Sequence, residues 1–217
     1  MRRAWLVAIG VAALGLGACQ RAQPPAKPSA PPALALHRGP ITDFVPAAGL
    51  RWMLVARPNE LLQSAPLRRG LEKLFPSERL ELFAQQSGLD IRSLGVGCVA
   101  GFDLGTLYLA ETMATQKVEK AFLARLASEP VTKHPGPGVT HITGLIGLTP
   151  ESFVGVEGRL VGVSVKDPTL TRIVGAFALE RLKKSPSALA GAALRDLPKS
   201  LAVDPLQFYA PGPFKDE

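Results

Sequence analysis

The side chains that could perform acid–base, nucleophilic or metal chemistry are few and widely spaced in this sequence. The three histidines are His37, His134 and His141, and the two cysteines are Cys19 and Cys98. A metal site or an acid–base pair needs several such groups at a recognisable spacing. His134 and His141 have no cysteine or carboxylate at ligand spacing, which predicts two solvent-side histidines. We expect no metal, no cofactor and no catalytic residue.

The other polar residues of interest fit structural roles. Asp90 follows Gly88-Leu89, and Asp103 lies between two apolar strands, where aspartate commonly hydrogen-bonds the backbone of a turn. Glu111 stands at a strand end without a second acid near it in sequence. Cys98 lies in an apolar segment and is expected to be a buried core residue. The chain has no Gly-x-Ser-x-Gly, His-Glu-x-x-His or phosphate-loop motif.

The amino-terminal segment has the parts of an export signal. Arg2 and Arg3 precede an apolar run, Ala4 to Leu16, which is shorter than the about 20 residues that span a bilayer. The run leads into Leu-Gly-Ala-Cys at residues 16–19, which resembles the bacterial lipobox. The resemblance implies cleavage of residues 1–18 and acylation of Cys19. The alternatives are an ordinary signal peptide that ends near the cysteine, and a helix of an unexported protein.

A lipid on Cys19 predicts the location of the protein in the bacterial envelope. Acyl chains contribute about 0.8 kcal/mol per buried methylene, so two or three chains anchor a protein firmly. In enteric bacteria an aspartate after the acylated cysteine favours the inner membrane, and here that residue is Gln20. We therefore expect anchoring in the outer membrane, facing the periplasm.

Residues 19–40 are predicted to be a linker. Six prolines among alanine, glutamine and a few other polar residues cannot build a core, and they favour an extended polyproline II chain of about 3.1 Å per residue. The segment is interpreted as a spacer, with a docking site for a proline-reading partner as the alternative. Residues 41–217 then form a single domain. Cleavage removes Arg2 and Arg3, so the formal charge falls from +7 to +5.

The domain is predicted to be α+β, with a mostly antiparallel sheet and helices packed on one face. The runner-up is a mixed sheet with one parallel crossover. Residues 129–138 are expected to be a loop rich in proline and glycine. The predicted strands cover 51–57, 96–102, 106–111, 139–146, 152–156, 159–165 and 205–210. One predicted helix starts with residues 58–62, and the others cover 64–75, 76–88, 115–128, 167–182 and 187–194.

Several segments together resemble uncharacterised bacterial envelope proteins of the domain-of-unknown-function type. They are Leu74–Leu80, Ser87–Leu94, Leu107–Glu111 and Arg159–Asp167. The shared features are turns and helix caps, so the resemblance implies a fold and transfers no functional residue. The module often occurs twice in that group. Residues 205–214 echo residues 50–59, as the start of a second module would, and the alternative is that they form only the last strand.

Two basic clusters remain: Arg68, Arg69, Lys73 and Arg79 in the early helices, and Arg181, Lys183 and Lys184 near the end of a later helix. Such charges usually solvate a helix surface, and those of the second cluster favour a helix carboxyl end. The functional alternative is contact with anionic envelope polymers or lipid headgroups. Nucleic acid is not an expected partner because the protein is predicted to be exported.

These observations favour a membrane-anchored, noncatalytic envelope lipoprotein that binds a partner protein or another envelope component. The second hypothesis is a small-molecule-binding accessory lipoprotein that uses the concave side of the sheet. The third is a periplasmic hydrolase, which would gain support if distant residues such as His141 and Glu111 converged in a cleft.

Overall fold

The computed structural model describes residues 36–182, 186–190 and 204–211. Within these ranges the chain forms eight strands, five α-helices and three short 3-10 helices, at Ile41–Phe44, Ile91–Ser93 and Ala188–Ala190. The order along the chain is β1 (Leu50–Ala56), α1 (Pro58–Gln63), α2 (Ala65–Leu74), α3 (Ser77–Ser87), β2 (Gly97–Phe102), β3 (Thr106–Glu111), α4 (Thr115–Arg125), β4 (Val131–Gly136), β5 (Val139–Ile146), β6 (Thr149–Val156), β7 (Leu160–Val165), α5 (Thr169–Ala178) and β8 (Leu206–Tyr209).

All eight strands belong to one sheet, in the order β4-β5-β6-β7-β3-β2-β1-β8. Every neighbouring pair is antiparallel. Tight connections join β2 to β3 and β4 through β7 in succession, as antiparallel strands allow. The α+β class and the antiparallel sheet are therefore confirmed, and the parallel crossover of the runner-up does not occur in the described sheet.

The helices are divided between the two faces of the sheet, whereas the sequence predicts them on one face only. Phe153 and Val154 are consecutive in β6, so their side chains point to opposite faces. Phe153 packs with Val118 and Phe122 of α4, whereas Val154 packs in the larger core with α5 and the 3-10 helix Ile41–Phe44. We call the α5 side the inner face and the α4 side the outer face. Both faces of β6 are apolar, so each is buried by a different set of helices.

A strand lies where the sequence predicts a loop. Residues 131–136 form β4, which pairs with β5 at the edge of the sheet and has an irregular register before Gly136. Proline cannot donate a ladder hydrogen bond, so Pro135 is compatible with an edge strand and not with a central one. Gly138, with φ +69°, makes the turn into β5. The prediction of a loop is therefore wrong for residues 131–136, which form an edge strand.

The later helices are shorter than predicted. Helix α5 ends at Ala178, and Glu180 follows with φ +53°. Of the predicted helix 187–194, the structure has a single 3-10 turn at Ala188–Ala190, and residues 191–194 lie outside the described ranges.

Strand β8 pairs with β1 through Met53 and Tyr209. Residues 212–217, where a second module would continue, also lie outside those ranges.

The last residues of the predicted linker lie against the domain. The His37 N–H donates to the Ala178 carbonyl at 2.8 Å. The Arg159 guanidinium donates to the carbonyls of His37, at 2.6 Å, and Gly39, and lies over the ring of Phe44. Residues 36–40 are thus attached to the domain. The predicted signal peptide 1–18, Cys19 and linker residues 20–35 lie outside the described ranges.

Candidate functional site

A continuous row of apolar side chains crosses the outer face of the sheet. Each member is the register partner of the next on the neighbouring strand. Cross-strand partners point to the same face, so the row forms one surface. Its members, from β8 to β5, are Phe208, Leu54, Val99, Tyr108, Val163, Phe153 and Ile142.

The two ends of this row differ in burial. Ile142 and Phe153 are 0% exposed, because α4 covers them and Phe122 stacks on Phe153 with ring centroids 5.5 Å apart. Tyr108 is 47% exposed and Phe208 is 61% exposed. The covering layer of helices therefore stops part of the way across an apolar surface.

Trp52 extends the bare end of the row. Its ring stacks on Phe208 with centroids 6.4 Å apart, and it is 36% exposed. Leu206 is also exposed at this end. We call these outer-face residues the open apolar face; they are Trp52, Leu54, Val99, Tyr108, Leu206 and Phe208. Exposed apolar surface of this kind marks interaction sites more often than solitary exposed residues do.

A groove of about 470 Å³ includes part of this face and lies between the sheet and helices α3 and α4. Phe83 of α3 lines one wall, and Leu54 and Tyr108 line its floor. Its polar groups include Arg125 and Glu151. Burial raises the pKa of Glu151, and the charge of Arg125 opposes that effect. The groove is thus apolar over most of its surface, with one acid and one base in its lining.

Sequence reasoning missed this face, although β1 carries a signal for it. Trp52 and Leu54 alternate with Met53 and Val55, so β1 is apolar on both sides. A strand of this kind needs cover on both faces. Met53 and Val55 are buried in the inner core, whereas Trp52 lies partly in solvent. Read along the sequence alone, the segment predicts a strand and not which of its faces stays open.

The two aspartates and the core cysteine have structural roles. The Asp90 carboxylate accepts from the Arg92 N–H at 3.0 Å, which confirms its turn role; hydrogen bonding to Arg92 lowers its pKa. Asp103 instead pairs with the side chain of Arg51. Cys98 is 2% exposed, as predicted, and burial raises the pKa of its thiol to about 12. A thiol in this environment is a poor nucleophile.

Of the two histidines predicted to face solvent, one is exposed and one is buried. His134 is exposed, as predicted. The prediction for His141 is wrong: it is 6% exposed, because its side chain lies on the inner face of β5, which α5 covers. Its Nε2 lies 2.9 Å from Thr171 Oγ1. His37 contacts Asp43 at 2.9 Å and packs against Phe44.

His141 and Glu111 do not share a cleft. His141 lines a cavity between β5 and α5, whereas Glu111 lines a different one beside Arg159. The convergence that would have supported a hydrolase does not occur at these two residues. In the described part of the chain, no cluster of three or more histidine, cysteine or acidic side chains could hold a metal ion.

The first basic cluster lies on exposed helix surfaces. Arg68, Arg69 and Lys73 are exposed on α2 and Arg79 is exposed on α3; Arg68 approaches Glu72 at 3.9 Å. From the second cluster, Arg181 is described and exposed, while Lys183 and Lys184 lie outside the described ranges. The structure does not bring the two described groups of cations into one site.

No helix among the described residues has the length and apolarity needed to cross a membrane. Comparisons with protein-family models, with curated proteins and with solved structures give no match to this chain.

Proposed function

We propose that this protein is a noncatalytic envelope lipoprotein that binds a partner protein on its open apolar face. The occupant that fits best is the apolar side of a helix from an envelope protein. The observation that carries the proposal is the change in burial along one cross-strand row, from 0% exposed at Phe153 to 61% exposed at Phe208.

The intramolecular packing next to the open face supports a helix as the occupant. Phe122 and Val118 of α4 already cover the part of the row on β5 to β7. The sheet continues through β3, β2, β1 and β8 with the same apolar character. Apolar sheet faces are stabilised by a second layer, so a helix laid beside α3 would complete the layer that α4 begins.

The residue types on this face also support a protein partner. Trp52, Tyr108 and Phe208 are aromatic, and tryptophan and tyrosine often dominate the energetics of protein interfaces. Leu54 and Val99 lie between these aromatic residues in the register. A central apolar strip with aromatic side chains around it matches the composition of an interface core.

The anchor is a separate part of the proposal. Acylation of Cys19, followed by the proline-rich linker, would hold the domain near the outer membrane and let it meet envelope proteins. Labelling cells with a palmitate analogue tests the anchor, with Cys19→Ser as the control. Unlabelled wild-type protein would contradict it.

Site-specific photo-cross-linking in living cells tests the binding face. A photoreactive amino acid is placed at Tyr108 in one variant and at Phe208 in another. The control position is Leu148, which is 96% exposed in the turn between β5 and β6. We expect Tyr108 and Phe208 to yield the same cross-linked envelope protein, joined through the apolar side of one of its helices, and Leu148 to yield none.

Three other outcomes would contradict the proposed partner. A product that joins two copies of this chain would identify the face as a homodimer interface. A product with lipid would identify a membrane-binding surface. An equal yield from Leu148 would show that the cross-links report general exposure rather than a specific complex.

A further inference from the structure

The cavity that His141 lines is on the inner face of the sheet, opposite the open apolar face. It has a volume of about 690 Å³ and lies between the β4–β5 hairpin and α5, in the range typical of small-molecule sites. His141 and Thr171 contribute its buried polar surface. Val131, Ile173, Leu179 and Leu182 contribute apolar surface.

The charge of the lining has one sign. Lys133 of β4, Arg172 of α5 and Arg181 all line the cavity, and its lining includes no aspartate or glutamate. Within the described residues, none of these three cations makes an ion pair. The neighbouring acid Asp167 is engaged with Thr169, from which it accepts two hydrogen bonds. Three cations around one concave surface attract anions.

A chain of buried hydroxyl groups fixes the orientation of His141. Ser164 Oγ donates its proton to the Asp167 carbonyl at 2.7 Å. In its contact with Ser152 Oγ, also 2.7 Å, Ser164 must therefore accept a hydrogen bond that Ser152 donates. Ser152 has then used its only proton, so Thr171 Oγ1 supplies the proton in their 2.6 Å contact, and the same hydroxyl also contacts the Pro168 carbonyl at 3.2 Å. Thr171 in turn accepts from His141 Nε2. The floor of the cavity is therefore preorganised.

We propose that this cavity binds a small organic anion that carries a phosphate or carboxylate group on an apolar body. Lys133, Arg172 and Arg181 would hold the charged group through charge-assisted hydrogen bonds, and Ile173 and Leu182 would contact the apolar body. Burial and the charges of Arg172 and Lys133 lower the pKa of His141, so the imidazole is the neutral member of the site. The inference does not depend on the partner-binding proposal, because the two surfaces lie on opposite faces of the sheet.

Titration calorimetry with the full chain carrying Cys19→Ser tests this site. The probes are phenyl phosphate, benzoate and the neutral benzyl alcohol. We expect binding of at least one anionic probe, no binding of the alcohol, and weakening of at least tenfold in the double variant Lys133→Gln/Arg172→Gln. The matched control Arg68→Gln/Arg69→Gln removes two exposed cations from α2 and should bind as the parent chain does.

A further variant and a further probe complete the test. Thr143→Asp introduces a carboxylate into the lining without removing a cation, and it should also weaken anion binding at least tenfold. The proposal would be overturned if neither anion bound the parent chain, if the α2 control lost as much affinity, or if Thr143→Asp bound normally. Binding to phosphatidic acid vesicles without binding to phenyl phosphate would indicate a headgroup surface instead, which also overturns it.

Discussion

The indole ring of Trp52 lies across the backbone of Gly101 on the neighbouring strand. The two residues are register partners of β1 and β2, and a Cβ built at Gly101 would overlap the ring. The glycine lets the indole lie flat on the sheet, where it stacks on Phe208. The geometry of the open apolar face therefore depends on the absence of a side chain at position 101.

Gly101→Ala should displace the Trp52 ring and weaken the domain by about 1–3 kcal/mol, as overpacking usually does. In a Trp5→Phe background Trp52 is the only tryptophan, so its emission should shift to longer wavelength as the ring enters solvent. Gly95→Ala is the control, because a Cβ there meets no atom within 4 Å. Unchanged emission in Gly101→Ala would contradict this packing.

Local signals were sufficient to predict much of the fold. Gly88 ends α3 with φ +74°, Asp90 forms its predicted turn, and the β2–β3 hairpin closes around Gly105 through the Phe102 N–H. Each of these depends on residues close in sequence. Strand β4 was not predicted because Pro135 argues against a strand unless it lies at an edge, and edge position is a property of the whole sheet.

The two candidate sites could not be predicted because their residues meet only in the folded sheet. Phe208 and Leu54 are far apart in the chain and become register partners when β8 joins β1. Lys133 and Arg172 likewise meet at one cavity from β4 and α5. His141 looked solvent-exposed because one polar residue among apolar neighbours does not reveal which strand face a later helix covers.

Arg159→Gln should release residues 36–40 from the domain. The change removes two charge-assisted hydrogen bonds to main-chain carbonyls and the contact over Phe44, which should lower the free energy of unfolding by about 1–3 kcal/mol. Arg38 lies in this segment and is exposed. Trypsin should therefore cleave after Arg38 faster in the variant, as measured by mass spectrometry of timed digests.

Arg51→Gln is the matched control for Arg159. Arg51 is exposed and pairs with Asp103, so its loss should leave cleavage after Arg38 unchanged. Equal cleavage rates in the parent chain and Arg159→Gln would show that the guanidinium does not hold the segment.

Cys98 should resist alkylation until the domain unfolds. Burial raises the pKa of its thiol from 9.0 to about 12, which lowers the thiolate fraction at pH 8 by on the order of a thousandfold. In a Cys19→Ser background it is the only thiol. Iodoacetamide should modify the unfolded chain in urea and leave the native chain almost unmodified over the same period. Rapid labelling of the native chain would contradict the burial of Cys98.

His141 should make the domain less stable as the pH falls. Burial, with the charges of Arg172 and Lys133, lowers its pKa below the ordinary value of 6.5. Below pH 6.5 the unfolded chain takes up a proton that the native imidazole does not bind. This proton uptake stabilises the unfolded chain and lowers the free energy of unfolding. The stabilising effect is complete above about pH 6.5 and is lost as the pH falls from there through the native pKa.

Urea unfolding of the parent chain and of His141→Gln, at a series of pH values from 8 to 5, measures this contribution. Glutamine keeps a donor for Thr171 and does not titrate, so the difference in unfolding free energy between the two chains should shrink as the pH falls. His134→Gln, at an exposed position on β4, reports the effect of losing an imidazole outside the buried hydroxyl chain. A constant difference between the parent chain and His141→Gln across the series would show that His141 does not titrate differently in the native and unfolded chains.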